Sequence, residues 1–352
     1  MPEQLSPADF LHQRHTGVVI DVRTPAEFAD GHIPGAINLP LFSNEERAEV
    51  GTIYKQKSKE KAVERGLELV GPKLADLVKQ AKQVAHGRPL FIHCWRGGMR
   101  SGSMAWLMET VGMETFLLAG GYKAYRAGFE ALLTSHPWHM VVLGGPTGCG
   151  KTGILQALAQ QGEQVLDLEG LAHHKGSVFG ALGQTAQPTN EQFANNIHEV
   201  MRGFDPSRRV WVEGESQTIG HNFIPTTLFT LLESAPAMVE IEMPIELRLN
   251  RLVNEYASFE PIRLIEAFLK IQKRLGGLRT QQAINHLLNN QYSEAAAIAL
   301  EYYDKSYAHM LARQTGKHIP FAVQHDNPEE TAIRLKALTI EFSDSLSTDY
   351  TD

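Results

Sequence analysis

Short runs of apolar and β-branched residues alternate with helical patterns along most of the chain. In the first part, residues 17–22, 89–94 and 115–118 are predicted to be strands, and residues 100–111 a helix. The strands predicted in the second part are 140–143, 164–168, 210–213, 237–242 and 318–323. Strands that alternate with helices favour parallel sheets covered by helices. The pattern therefore predicts the α/β fold class for both parts.

The segment around Pro137 divides the chain, because proline breaks the preceding helical pattern just before a new apolar strand. We therefore predict one domain over residues 1–135 and a second over 136–352. Within the second, residues 244–310 are mostly helical in pattern, which is long for one crossover and predicts a helical subdomain. The tail after Glu341 is polar and is expected to fray.

Composition excludes several classes of protein. The 352 residues are 43% hydrophobic and 21% charged, which is ordinary for a globular chain. No apolar run reaches the roughly 18 residues of a membrane span, and the N-terminus lacks signal-peptide features. Two cysteines cannot form a disulfide framework, so a cytoplasmic location without membrane contact is predicted.

Cys94 ends a predicted strand and precedes a loop rich in glycine and arginine. Such a loop turns backbone N–H groups inward, and the following helix N-terminus adds positive potential. Arg96 and Arg100 add charge, so the pKa of the thiol is expected to be low and its thiolate nucleophilic. A lone cysteine is otherwise usually a structural residue. Cys94, Arg96 and Arg100 are the candidate catalytic residues of the first domain.

The first strand of the second part is followed by a match to G-x-x-x-x-G-K-[ST], and a helix begins at its lysine. Gly145, Gly148 and Gly150 allow backbone amides to surround a phosphate. Lys151 supplies positive charge, and Thr152 is a candidate Mg²⁺ ligand. This phosphate loop predicts a P-loop NTPase-like α/β domain that binds a diphosphate, without specifying a nucleoside.

Four candidate acids follow strands of the second part: Asp167, Glu169, Glu213 and Glu215. Because the carboxyl ends of parallel strands line the ligand crevice, we expect these acids to border one cleft with Lys151. For each acid alone, an exposed loop charge is the competing interpretation. Asp167 and Glu213 are also candidates for the Walker B acid.

A basic stretch stands out from the acidity of its domain. The chain carries a net charge of −7, divided into +1 for residues 1–135 and −8 for the remainder, yet residues 248–279 are net +4. The candidate RNA-binding residues are Arg248, Arg251, Lys273, Arg274 and Arg279. Net acidity therefore does not exclude an RNA partner.

The first domain resembles the rhodanese family. The resemblance rests on D-V-R-T-P-A-E-F from residue 21, G-H-I-P-G-A-I-N from residue 31 and L-A-G-G-Y-K-A-Y from residue 118. In rhodaneses, the cysteine at the position of Cys94 carries a persulfide. The loop from Cys94 to Arg100 has seven residues rather than six, however, and resembles the HC-x5-R-S loop of phosphatases with the same fold. Phosphatase chemistry and chalcogen transfer both remain open for this loop.

The order of the two domains, together with residues 167–176 and 213–216, closely resembles the tRNA 2-selenouridine synthase family over nearly the whole chain. The resemblance implies geranylation of wobble 2-thiouridine in tRNA by geranyl diphosphate, then replacement of the S-geranyl group by selenium from selenophosphate. It implies tRNA and a selenophosphate-supplying enzyme as partners, and no tightly bound organic cofactor. Lys151 would bind the diphosphate, and Cys94 would hold selenium as a selenenyl-sulfide.

Two other interpretations remain at this stage. One is a phosphatase domain fused to a nucleotide-dependent kinase domain, which the seven-residue loop and the phosphate loop would also fit. The other is a nucleotide-switched tRNA-binding protein in which Cys94 has an ordinary thiol pKa.

Overall fold

The computed structural model describes residues 2–311 and 316–340; the tail after Glu341, expected to fray, lies outside the described residues. The chain separates into two compact units, Met1–Leu132 and Leu133–Asp352. Each unit has its own sheet and its own buried core.

The first unit is built on a five-stranded parallel sheet in the order β1-β5-β4-β2-β3. Its strands are β1 (Glu3–Leu5), β2 (Val18–Asp21), β3 (Ile37–Asn38), β4 (Leu90–His93) and β5 (Thr115–Leu118). Its helices are α1 (Pro7–Gln13), α2 (Pro25–Asp30), α3 (Asn44–Gln56), α4 (Lys59–Val70), α5 (Leu74–Ala85), α6 (Met99–Thr110) and α7 (Gly121–Thr134).

The central strands β2 and β4 are buried on both faces, which explains their continuous apolar runs. Ile20 and Ile92 pack in one core cluster with Met104 of α6. Phe91 packs on the opposite face, in edge-to-face contact with Phe10 of α1. The sheet therefore fixes the end of β4, where Cys94 follows.

The second unit has a five-stranded parallel sheet in the order β12-β11-β6-β8-β7, and a two-stranded antiparallel pair, β9-β10. Its strands are β6 (Met140–Gly144), β7 (Gln164–Leu166), β8 (Val210–Glu213), β9 (Thr218–Ile219), β10 (Asn222–Phe223), β11 (Ala237–Glu242) and β12 (Lys317–Ala322). Its helices are α8 (Lys151–Gln160), α9 (Leu168–Ala172), α10 (Asn190–Met201), α11 (Thr226–Glu233), α12 (Ile245–Tyr256), α13 (Pro261–Leu275), α14 (Gly277–Leu288), α15 (Tyr292–Leu311) and α16 (Pro328–Lys336).

The helices α12 to α15 form the helical subdomain between β11 and β12. Leu264 and Phe268 of α13 pack with Ala283 and Leu287 of α14 in a core separate from that of the sheet. The α/β fold class with a helical subdomain is thus confirmed.

One predicted strand is too long. Residues 164–168 were expected to be extended, but β7 ends at Leu166. Asp167 instead caps helix α9, its carboxylate accepting the backbone N–H of Gly170 at 2.7 Å. A short aspartate that caps a helix ends the strand earlier than apolar patterning alone indicates.

Candidate functional site

The Cys94 loop runs from the end of β4 to the start of α6 and is held closely against the start of α7. The backbone N–H of Tyr122 donates to the carbonyl of Cys94 at 2.9 Å. Gly121 has φ +62°, and a Cβ atom there would lie 2.4 Å from the Cys94 carbonyl oxygen. Gly97 has φ +66° and would meet the Leu118 carbonyl at 2.8 Å. Glycine at both positions therefore allows the loop its tight path.

The loop stabilises the thiolate form of Cys94. The sulfur is 3.2 Å from the hydroxyl oxygen of Ser101, in the first turn of α6. Burial raises the pKa of the Cys94 thiol, but hydrogen bonds from the Ser101 hydroxyl and from the backbone N–H groups of Ser101, Gly98 and Arg96 together lower it below its usual value. The arrangement favours a nucleophilic sulfur surrounded by N–H donors, as an anion site requires.

A buried ion pair lies at the carboxyl ends of the strands next to this loop. Arg23 donates from Nη2 to Asp21 at 2.7 Å, and both side chains are fully buried. The guanidinium carbon of Arg23 lies 3.8 Å from the centre of the Tyr122 ring. Burial lowers the pKa of His93 to about 4, so this histidine is neutral near pH 7. The network is joined to the loop through Tyr122, whose ring contacts Arg23 and whose backbone N–H donates to Cys94.

The two arginines of the loop have different surroundings. Arg100 forms a two-pronged ion pair with Glu27 of α2, at 2.7 and 3.3 Å. Glu27 also closes the capping box of α2 with Thr24. Burial raises the pKa of Glu27, but Arg100 and Thr24 lower it further, so the carboxylate is charged. Arg96 is exposed in the loop. Arg100 is thus oriented by Glu27, whereas Arg96 faces solvent.

The phosphate loop of the second unit follows β6 and ends where α8 begins. Its three predicted glycines all have positive φ: Gly145 at +144°, Gly148 at +83° and Gly150 at +82°. Lys151 folds back over the loop, and its Nζ donates to the Gly145 carbonyl at 2.8 Å. The loop therefore has the backbone conformation of an anion-binding loop, and the lysine Nζ lies against that backbone.

Carboxylic acids surround this lysine. Thr152 donates its hydroxyl to Glu169 at 3.1 Å, and the backbone N–H of Glu169 donates to Glu213 at 2.5 Å. Burial lowers the pKa of Lys151, but the electrostatic effect of the neighbouring acidic groups, Glu215, Glu169 and Glu213 among them, raises it further than burial lowers it. Lys151 therefore stays charged.

Crowding raises the pKa of the acids themselves. Burial and the charge of Glu169 raise the pKa of Glu215 to about 8, so its carboxyl holds a proton near pH 7. Burial raises the pKa of Glu213 well above its usual value, with a contribution from Asp167. The pKa of Glu169 is raised as well, chiefly by burial. The hydroxyl of Thr152 and the carboxyl oxygens beside it are hard oxygen donors of the kind that fit Mg²⁺.

These groups line one open cleft of about 960 Å³ in the second unit. Lys151, Thr152, Glu169 and Glu215 all face it, as expected from the sequence. Glu213 lies buried behind Glu169, and Asp167 is used as the cap of α9, so neither lines the cleft.

Two of the five candidate tRNA-binding residues lie against the phosphate loop. Arg248 is buried, donates from Nε to the Thr147 carbonyl at 2.9 Å and pairs with Asp304. Arg251 pairs with Asp326, and its guanidinium lies about 3 Å from the Cβ position of Gly150. Arg248 thus stabilises the phosphate loop through its hydrogen bond to Thr147, whereas Arg251 lines the cleft beside that loop.

The other three basic candidates are exposed on the helical subdomain. Lys273 and Arg274 end α13, and Arg274 donates to the hydroxyl of Tyr302 at 3.2 Å at the edge of the cleft. Arg279, on α14, pairs with Glu301.

Two family profiles match this chain. Residues 138–334 match the tRNA 2-selenouridine synthase AAA domain, and residues 6–128 match the rhodanese-like domain. The chain is 35% identical to a tRNA 2-selenouridine synthase of Bdellovibrio bacteriovorus, over 84% of this chain and 89% of the relative. A tRNA 2-selenouridine synthase of Proteus mirabilis is 36% identical, over 86% and 91%. The chain belongs to the tRNA 2-selenouridine synthase family.

One solved structure with similarity to this chain covers part of it. The N-terminal domain of a protein from Clostridium difficile 630, designated as ATP/GTP binding, is 42% identical over 36% of this chain and 98% of that domain, with a TM-score of 0.34. The family resemblance expected from the sequence is confirmed by the two family profiles and by the named relatives.

Sequence reasoning missed the partners of several residues in these family domains. Glu27 was not singled out, although it stands at the third position of a capping box, and it orients Arg100. Asp304 and Asp326 were also missed, and they pair with the arginines at the phosphate loop. Asp326 follows the end of β12, and the ends of parallel strands line the ligand crevice. Its position after a strand was therefore the local signal that could have indicated it.

In the described part of the chain, no helix is both long and apolar enough to cross a membrane.

Proposed function

We propose that this protein converts wobble 2-thiouridine in tRNA to 2-selenouridine in two steps. In the first, a geranyl group from geranyl diphosphate is transferred to the sulfur of the base. In the second, selenium derived from selenophosphate replaces the S-geranyl group. Membership of a family whose named relatives are tRNA 2-selenouridine synthases supports the overall reaction.

The phosphate loop supports the first step. The thiocarbonyl sulfur attacks the first carbon of the geranyl group, the carbon–oxygen bond breaks, and the base loses its N3 proton. The departing diphosphate gains negative charge, which Lys151 and the loop N–H groups offset. Thr152 and Glu169 would hold a Mg²⁺ ion, which would supply further positive charge to the diphosphate when bound.

The Cys94 loop supports the second step. A thiolate among N–H donors suits a tetrahedral oxyanion such as selenophosphate, with Arg96 and Arg100 adding positive charge. Prior geranylation helps because an S-alkyl group leaves C2 as a thiol, which is easier to expel than sulfide. An enzyme that makes selenophosphate would then be the supplying partner.

Electron counting favours attack of Cys94 on phosphorus. Selenium in selenophosphate is already at the selenide level, so a selenenyl-sulfide on Cys94 would leave phosphorus reduced to phosphite. Attack on phosphorus forms an S–P bond, breaks the P–Se bond and releases hydrogen selenide without oxidation or reduction. Hydrogen selenide then displaces the geranyl thiol at C2, and water hydrolyses the phosphocysteine to phosphate. The seven-residue loop, which resembles that of phosphatases, suits this step.

The observation that carries the proposal is the pairing of a thiol of lowered pKa with a separate phosphate loop in one chain of this family. Two variants test the division of labour: Cys94→Ser is expected to abolish selenation and leave geranylation intact, and Lys151→Ala to impair geranylation. Each variant is the other's control, and nucleosides from treated tRNA are identified by mass spectrometry. Equal loss of both steps in Cys94→Ser would contradict this assignment.

Intact-protein mass spectrometry after selenophosphate treatment examines the covalent step. The proposal predicts that Cys94 gains the mass of one phosphoryl group. A gain of one selenium atom would instead restore the selenenyl-sulfide. Hydrolysis of phosphoesters by the full chain, with no selenation of tRNA, would favour the phosphatase interpretation.

A further inference from the structure

A second cavity lies within the helical subdomain, and its lining is predominantly apolar. Its volume is about 70 Å³, and most of its lining comes from α12, α13, α14 and α15, with Thr147, Ser177 and Phe179 added from outside these helices. The apolar residues of the lining include Val253, Leu264, Phe268, Leu287, Ala296 and Ala299. Phe268 is almost fully buried and packs edge to face with Phe179, their ring centres 5.2 Å apart. The aromatic rings of Phe179 and Phe268 therefore form part of the cavity wall.

The apolar cavity adjoins the cleft of the phosphate loop. Five residues line both spaces: Thr147, Ser177, Leu252, Tyr256 and Tyr303. Thr147 belongs to the phosphate loop itself, and its carbonyl accepts from buried Arg248. A ligand whose anionic end binds at Lys151 can therefore extend an apolar end past Leu252 into the adjoining cavity.

We propose that this cavity binds the distal end of the prenyl chain of the diphosphate substrate. The inference rests on the proposed geranyl transfer and adds the residues that recognise the chain. An apolar chain joined to a diphosphate is the ligand class that matches an apolar cavity beside an anion-binding loop. A nucleoside base fits less well, because its hydrogen-bonding edges would be buried among side chains that offer few partners.

The volume of the cavity sets the chain length. One water-sized group needs roughly 10–15 Å³ of such space, so about 70 Å³ holds about five to seven carbon-sized groups. That is one isoprene unit. The distal isoprene unit of a geranyl chain therefore fills the cavity, while the proximal unit lies in the cleft beside the diphosphate. A farnesyl chain would place two isoprene units in this space, which is more than its volume of about 70 Å³ holds.

Two variants of the full chain test this assignment by changing the space in opposite directions. Ala296→Leu fills the cavity, and Phe268→Ala enlarges it. Leu269→Ala is the matched control, because Leu269 neighbours Phe268 on α13 but is 48% exposed and lines neither space. Calorimetry measures binding of geranyl diphosphate and, separately, of inorganic diphosphate, whose unchanged affinity also shows that each variant is folded.

We expect Ala296→Leu to weaken geranyl diphosphate binding by about tenfold or more, because the larger side chain displaces the distal isoprene unit from the cavity. The affinity for inorganic diphosphate should not change. Phe268→Ala should shift preference from geranyl towards farnesyl diphosphate by about tenfold, and Leu269→Ala should change neither ligand. Equal affinity of the wild-type chain for geranyl and inorganic diphosphate would overturn the cavity assignment. So would variants that leave both affinities unchanged.

These results are distinguishable from a failure of the proposed function. If the wild-type chain binds geranyl diphosphate in this cavity but transfers no geranyl group to tRNA, the transfer reaction is wrong and the prenyl site stands. If tRNA is geranylated while Ala296→Leu and Phe268→Ala show wild-type affinities and chain-length preference, the reaction stands and this site is wrong.

Discussion

Replacing Ser101 by alanine tests whether the loop tunes the Cys94 thiol. Ser101 is fully buried, its hydroxyl lies 3.2 Å from the sulfur, and it also donates to the Gly98 carbonyl at 3.2 Å. The hydroxyl has one proton, which turns to the sulfur when the thiolate forms and so gives up the bond to Gly98. Ser101→Ala removes the hydroxyl and both of these hydrogen bonds while leaving the backbone donors of the loop in place.

The expected magnitude follows from that exchange. A hydrogen bond to a charged group contributes about 1.5–3 kcal/mol and a neutral one about 0.5–1.5 kcal/mol, so the net preference for the thiolate is about 1.2 kcal/mol. One pKa unit corresponds to about 1.4 kcal/mol. Ser101→Ala should therefore raise the pKa of Cys94 by about one unit. Well below the wild-type midpoint the thiolate fraction falls by about tenfold, and well above the new midpoint it does not change.

The assay is the rate of alkylation of Cys94 by iodoacetamide as a function of pH. Cys94 is only 3% exposed, which slows the reaction at every pH but does not move the midpoint. Cys94→Ser measures the background from Cys149, and Ser103→Ala, exposed on the same helix, is the matched control. An unchanged midpoint in Ser101→Ala, or an equal shift in Ser103→Ala, would refute the reasoning.

Two further predictions concern the second unit. The raised pKa of Glu215, about 8 against 4.5 when unfolded, means that the folded state keeps a proton the unfolded state has lost. The contribution of Glu215 to stability should therefore fall as pH rises from about 4.5 through about 8, so raising the pH over that range should increase the thermal unfolding midpoint of Glu215→Gln relative to that of the wild type. Lys273→Ala should reduce the salt dependence of tRNA binding by about one in log–log slope, measured by filter binding, because Lys273 is exposed. Arg248→Ala should instead lower the thermal unfolding midpoint, because it removes the hydrogen bond to the Thr147 carbonyl. Similar salt slopes of tRNA binding for both variants would contradict this distinction.

Local motifs account for the parts of the site that were predictable. The phosphate loop needs glycines at fixed spacing between a strand and a helix, so its pattern indicates both its residues and their positions in the fold. The Cys94 loop is equally local, since the cysteine, the arginines and Ser101 all lie within eight residues. Alternating strands and helices likewise indicate parallel sheets before any contact is known.

The remaining contacts join residues far apart along the chain. Glu27 reaches Arg100 across 73 positions, and Arg251 reaches Asp326 across 75. Such pairs depend on how sheets and helices pack, which hydrophobic periodicity does not specify. The apolar cavity has the same origin, because Phe179 and Phe268 meet only when the chain after α9 packs on α13. Helical spacing shows only that such residues are buried.

Nucleoside analysis of treated tRNA tests the central claim most directly. tRNA bearing wobble 2-thiouridine is incubated with the full chain and geranyl diphosphate, then with selenophosphate, and its nucleosides are identified by mass spectrometry after each addition. The account predicts S-geranyl-2-thiouridine after the first addition and its replacement by 2-selenouridine after the second. Formation of 2-selenouridine at the same rate without geranyl diphosphate, or no modified nucleoside at either stage, would contradict it.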